Sequence, residues 1–223
     1  MNPFSPMFPK AVLFDFDGVI VNSKKAHNTA WMLAHEKLFN SKLESFPHQE
    51  LLGKSPMLIA EYFCEQQNAK QHTKALFDLK DELIPLTIPY AKLLPGVREI
   101  QSLLVKSNIP YGIASNATRQ FLSNTIENLA LEFETYLGFE DYINPKPHPE
   151  PYLNLAKKLK IADKDFDKVW VFEDSPLGIK AAKKAKMIPI GILTVHTEDV
   201  LTEAGSILNF RTLQEAYLFL LEQ

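Results

Sequence analysis

The stretch Val12–Ser23, VLFDFDGVIVNS, decides how the rest of the chain is read. Ala11–Phe14 is a short unbroken apolar run, the pattern of a strand buried on both faces of a parallel sheet. It ends in two acids spaced i, i+2, Asp15 and Asp17, and Gly18 then permits a sharp backbone turn. Open α/β sheets bind ligands outside the carboxyl ends of their strands, so both carboxylates stand at a ligand position. Two carboxylates so close repel unless something positive lies between them, and Mg²⁺, a hard cation that takes oxygen ligands, fits. The bland alternative is a polar strand end that caps a helix.

Past Ser23 the period changes. Ala26, Ala30, Leu33, Ala34 and Leu38 recur at helical spacing, with Asn22 or Ser23 placed to cap that helix. Helical patterns also cover Gln49–Leu52, Pro56–Gln67 and Thr73–Ile84, and nothing in this region alternates like a strand. Residues 22–91 therefore read as an all-helical insertion, with Ile84–Tyr90 and its two prolines as the return linker. Strand and helix patterns then alternate to the end. A helix begins near Pro95, and IPYGIAS is a strand ending at Ser115 and Asn116. Helices follow over Thr118–Leu129 and Pro149–Leu159. DKVWVFED is a strand ending at Glu173 and Asp174, Pro176–Lys186 a helix, and MIPIGIL a strand. A short strand at Ile207–Leu208 and a helix over Thr212–Leu221 close the chain. The fold class expected is a doubly wound parallel α/β sheet with an inserted helical domain: residues 1–21 and 92–223 form the core, and 22–91 the insertion.

Composition narrows the function classes. The chain has 223 residues, 46% hydrophobic and 23% charged, with a net charge of −3, which is ordinary for a soluble globular protein. No basic stripe points to nucleic acid. No apolar run approaches the about 20 residues that span a membrane. The leader MNPFSPMFPK, with three prolines, lacks the charged and apolar regions of a secretory signal, so a cytoplasmic protein is expected. The single cysteine, Cys64, sits in an apolar helical pattern and reads as packing.

Three later stretches supply chemistry. Ser115 and Asn116 follow a strand and open a helix, where a hydroxyl, an amide and helix N-terminal N–H groups suit phosphate oxygens; a plain N-cap is the alternative. Lys146, in NPKPHPEPY, is flanked by prolines that fix its loop, which suits a lysine held rigidly more than one free in solvent. Glu173–Asp174 puts two more acids at a strand end, followed by SPLGIKAAKKA. Other apparent motifs fail. Gly53-Lys54-Ser55 is no phosphate-binding P-loop, since His48 stands where the first glycine belongs, and HEKLF at 35–39 has Phe39 in place of the second metal-binding histidine. The sequon Asn116-Ala-Thr118 falls in the candidate site, and no signal accompanies it.

The ordered set resembles the haloacid dehalogenase (HAD) superfamily from Val12 to about Phe210. Asp15, Asp17, Gly18 and Ser23 match its first motif, DxDGxxxxS; Ser115 matches the second; Lys146 the third; Glu173–Asp174 with Gly178 the fourth, EDSxxGxxAA. Residues 22–91 then resemble the helical cap of one subgroup. The resemblance implies Asp15 as nucleophile and Asp17 as general acid and base. It implies Mg²⁺ held by Asp15, Asp174, the Asp17 carbonyl and Glu173, and phosphate oxygens held by Gly18, Ser115, Asn116 and Lys146. From the cap, His27, Lys54 and Ser55 are the candidates to meet substrate. Asp17 argues against the dehalogenase and phosphonatase branches, which lack an acid there, although Lys54 lies about where the phosphonatase places its imine-forming lysine. A phosphatase for a small phosphorylated metabolite is the expectation, as a monomer or weak dimer. A β-phosphoglucomutase-like phosphotransferase is the alternative, and a silent binding protein a third reading. Pro56 after Gly53-Lys54-Ser55 replaces the region of the mutase's arginine, and no arginine occurs between Ser23 and Tyr90. Lys186 replaces the glycine usual after the fourth-motif helix.

Overall fold

A computed structural model describes residues 9–47, 51 and 56–222. The chain divides into two compact units, Met1–Asn22 with Lys92–Gln223, and Ser23–Ala91.

The first unit is built on six strands: β1 (Ala11–Phe14), β4 (Tyr111–Ala114), β5 (Tyr136–Leu137), β6 (Val169–Glu173), β7 (Ile188–Ile192) and β8 (Leu208–Phe210). Their order is β5-β4-β1-β6-β7-β8, and each neighbouring pair is parallel. The expected doubly wound sheet is therefore present. Its central strand is the unbroken apolar run: every residue of β1 is fully buried. Phe14 stacks on Phe172 of β6 with ring centroids 5.4 Å apart. The chain leaves β1 towards β4 and β5, then returns on the other side of β1 to lay down β6. The carboxyl ends of β1, β4 and β6 thus meet at a topological switch point. Two short strands, β2 (Val21–Asn22) and β3 (Lys92–Leu93), pair antiparallel where the chain leaves and re-enters this unit.

The helices of this unit mostly fall where the periodicity puts them, with local differences that have physical causes. The helix expected near Pro95 starts at Val97, because Pro95 and Gly96 make the preceding turn, with Gly96 at φ 89°. Ser115 and Asn116 do not open the next helix, Arg119–Asn128; Thr118 caps it, its side chain accepting from the Phe121 amide. β5 and the helix Glu198–Ala204 were not expected, being too short to show a period. Lys186 adopts φ 61°, the left-handed conformation that the missing glycine would favour. It follows the helix Pro176–Lys184.

The second unit holds helices Lys24–Phe39, Pro56–Gln66 and Thr73–Leu83. Ser23 is the first N-cap, but its side chain makes no capping bond, contrary to expectation. The core gathers Trp31, Ala34, Leu51, Ala60, Phe63, Cys64 and Leu76, so Cys64 is a packing residue. The return linker is folded into two 3-10 turns, Ile84–Leu86 and Ile88–Tyr90, with Ile84, Thr87 and Ile88 buried. Their prolines stand in the first turns, where a missing N–H costs nothing. The helix expected over Gln49–Leu52 lies, apart from Leu51, outside the described residues. No described helix is long and apolar enough to cross a membrane.

Candidate active site

Four segments bring the candidate residues together within the α/β unit. Asp15 follows β1, Ser115 follows β4, Glu173 ends β6, and Lys146 arrives on the proline-bounded loop before the helix Glu150–Lys158. Asp15, Glu173 and Asp174 offer carboxylate oxygens within 4.8 Å of one another. Among the described residues they form the one group that could hold a metal ion; the Asp17 carboxylate is not in it. Instead the Ser115 hydroxyl lies 3.5 Å from Asp17 Oδ2, and it also accepts from the Ala117 amide at 3.1 Å.

Lys146 is buried and its ammonium is shared. Nζ lies 2.6 Å from Asp15 Oδ1 and 2.6 Å from Glu173 Oε1. Burial alone would lower the lysine's pKa, but Asp15 and Glu173 more than offset this and hold it above the ordinary ammonium range. The carboxyls show the reverse. Burial is the main force raising Asp15; Lys146 opposes it, Glu173 and Asp17 add repulsion, and the result is about 7. Asp174 is raised by burial first, then by Asp15, Glu173 and Asp17. With Asp15 and Asp174 both raised, the site is electrostatically short of positive charge, which a divalent cation would supply. The donor set, all carboxylate oxygen, suits a hard ion such as Mg²⁺.

Two close approaches fix these acids. Gly18, at φ 84°, packs so tightly that a Cβ there would stand 1.9 Å from Asp174 Oδ2. The turn is also tied by Thr194, whose hydroxyl donates to the Gly18 carbonyl at 2.6 Å. A Cβ at Gly178 would stand 1.8 Å from Glu173 Oε1.

Several participants were missed by the sequence reading. Tyr152 donates its hydroxyl to Glu173 Oε1. Ser175 gives Glu173 Oε2 a hydroxyl at 3.0 Å and an amide at 3.4 Å. Tyr142 donates to the Ser115 carbonyl and lies 3.1 Å from Asn116 Oδ1. Asn116 Oδ1 in turn lies 3.4 Å from the Lys146 amide, so it braces the lysine loop. Only the aromatic identities of Tyr142 and Tyr152 could have hinted at this, and buried tyrosines more often serve packing. Of the insertion candidates, His27 lies in the first turn of the helix Lys24–Phe39, partly buried in the helical unit. Lys54 and Ser55 lie outside the described residues.

A buried lysine between acids at the ends of adjacent parallel strands, beside a serine at a third, puts a fixed positive charge against a carboxylate at the ligand edge of an α/β sheet. The profile of haloacid dehalogenase-like hydrolases matches residues 12–192, and the chain belongs to that family of enzymes. The chain is 27% identical over 208 residues to validoxylamine A 7'-phosphate phosphatase of Streptomyces hygroscopicus subsp. limoneus, covering 89% of this chain and 92% of that protein. It is 26% identical over 193 residues to the β-phosphoglucomutase of Bacillus subtilis, covering 82% and 83%. A HAD hydrolase (family IA, variant 3) of Entamoeba histolytica HM-1:IMSS superposes with a TM-score of 0.74 at 25% identity, covering 97% of this chain and all (100%) of that one.

Proposed function

We propose that this enzyme is a Mg²⁺-dependent phosphatase that hydrolyses a small phosphorylated metabolite through an aspartyl-phosphate on Asp15. The observation that carries the reading is the buried Lys146 ammonium, 2.6 Å from Asp15 at the carboxyl edge of the central strand. A phosphoryl group approaching Asp15 meets a fixed positive charge beside the nucleophile. Asp15, Asp174 and the Asp17 carbonyl are the residues proposed to hold the ion, which when bound neutralises charge on the phosphoryl oxygens.

In the first half-reaction an Asp15 oxygen bonds to phosphorus and the ester oxygen leaves, taking a proton from Asp17. In the second, water loses a proton to Asp17 and attacks phosphorus. The Asp15–phosphorus bond breaks, inorganic phosphate departs and the Asp15 carboxylate is restored. Lys146 and Ser115 hold the equatorial oxygens throughout, where transition-state charge is spread. The position of Asp17 supports this division of labour, since it stands outside the metal-capable group and next to the Ser115 hydroxyl.

The mutase reading has the Bacillus relative in its favour. A mutase must also grip a second phosphate, for which a bidentate arginine is best suited, and the insertion contains no arginine. Purified protein with Mg²⁺ is to be given a panel of small phosphate esters, and separately β-glucose 1-phosphate primed with glucose 1,6-bisphosphate. Free phosphate from one or more esters, lost on chelation, is expected. Rapid formation of glucose 6-phosphate with negligible phosphate release would establish the mutase, and full activity in excess chelator would remove the metal.

A further inference from the structure

Lys146 stands between two carboxylates at equal distances, 2.6 Å, and equal sharing is not what their surroundings favour. Glu173 is fully buried, whereas Asp15 keeps 8% of its surface exposed. The less solvated carboxylate attracts an ammonium more strongly, so Glu173 alone would draw Nζ away from Asp15. The environment of Glu173 counters this. Oε1 accepts from Lys146 and from the Tyr152 hydroxyl, and Oε2 accepts from the Ser175 amide and hydroxyl. A carboxylate has about four acceptor positions, and these four donors fill them.

We propose that Tyr152 is a positioning residue. By donating to Glu173 Oε1, its hydroxyl keeps Glu173 from capturing Lys146 and holds Nζ against Asp15. The tyrosine acts at two points, because Nζ also lies 4.8 Å from its ring centroid, so the ring face limits the ammonium on a second side. Its own place is rigid. Tyr152 is fully buried on the helix Glu150–Lys158 and packs with Leu13, Ala114 and Val171 of the strands that carry the site. Packing alone needs only phenylalanine there; a buried hydroxyl is costly without an acceptor, and this one has a carboxylate.

The inference rests on the phosphatase reading, in which Lys146 meets the transferred phosphoryl group. Tyr152→Phe keeps the ring and removes only the donor. With a substrate that the wild type turns over, kcat is expected to fall on the order of tenfold, the effect of one hydrogen bond to a charged group. KM should stay within about twofold, because Lys146 grips the phosphoryl oxygens harder in the transition state than in the ground state. If Tyr152 acts through Lys146, the loss should vanish in a Lys146→Met background. A crystal structure of Tyr152→Phe should show Nζ withdrawn from hydrogen-bond reach of Asp15 Oδ1. The proposal is overturned if Tyr152→Phe keeps wild-type kcat, if it loses the same factor in both backgrounds, or if Nζ stays in contact with Asp15 in that crystal structure. A wild type that releases phosphate from no ester would instead overturn the functional reading on which it rests.

Discussion

Lys146, in the α/β unit, and Lys80, in the helical unit, are the two lysines buried among the described residues, at 6% and 4% exposure. By burial they are alike, and by surroundings they are not. Lys80 pairs with its own neighbour in sequence, Asp81, at 3.0 Å, and its ammonium lies 5.6 Å from the Trp31 ring centroid. Asp81 keeps 19% of its side chain in solvent, so this is a side chain lying along an apolar surface with its charge satisfied locally. Lys146 reaches partners 131 and 27 residues away, both of them strand-end acids. A buried lysine alone therefore marks no site. What marks one is several charges brought from distant segments into a place largely withdrawn from water, since each is then costly unless the others stay put.

The comparison can be broken in order of expected effect. Asp15→Asn removes the proposed nucleophile while leaving a polar group of the same shape beside Lys146, and turnover is expected to fall by several powers of ten. Near wild-type phosphate release would detach the lysine cluster from catalysis. Lys146→Met keeps the apolar stem and removes the shared charge, with an expected loss on the order of a thousandfold in kcat/KM. The third effect concerns the acids themselves. Burial raises Asp15 to about 7 and raises Asp174 above its ordinary value. Between the ordinary carboxylate range and about pH 7, the folded metal-free protein therefore holds protons that the unfolded chain has released. Its stability should fall as pH rises through that window. Mg²⁺ bound by these acids would compete with those protons, so excess Mg²⁺ should raise the melting temperature more at about pH 8 than at about pH 5. An equal rise at both would show that these acids do not bind the ion. The smallest effect is Lys80→Met, expected to shift melting by about 2–4 °C, because Asp81 can turn to water. A loss of folding there would mean that the two lysines are not the contrasting pair described.

How far the sequence reveals this depends on distance along the chain. Unbroken apolar runs declared β1, β4 and β6, since strands buried on both faces carry no alternation to decode. The residues that terminate them, Asp15, Ser115, Glu173 and Asp174, were visible for the same reason. Lys146 was visible because prolines bound its loop. The partners of Glu173 were not. Tyr152 sits 21 residues before it, and from the sequence its ring is one more apolar position on a helix. Glu173, expected as a metal ligand, does stand in the metal-capable group with Asp15 and Asp174, but nothing local reveals that Lys146, Tyr152 and Ser175 also contact its oxygens. The segment Ile84–Tyr90 read as a linker because two prolines break any long period, yet they suit the short 3-10 turns found there. Lys186 shows the converse: its residue type argues against a left-handed turn, and the fold imposes one at φ 61°.

Asp15 is proposed to carry the phosphoryl group in turnover. Enzyme and Mg²⁺ at steady state with a hydrolysable ester are to be quenched and treated with borohydride, which reduces an acyl phosphate to the alcohol, and the Asp15 peptide is then read by mass spectrometry. Asp17→Asn is to be run alongside, since it is expected to slow the attack of water on the intermediate. Homoserine at position 15, dependent on substrate, is the expected result, and in Asp17→Asn, where both half-reactions are slowed, it should form more slowly and persist longer. Phosphate release by the wild type with Asp15 unmodified in both proteins, or with the reduced residue elsewhere, would contradict the account.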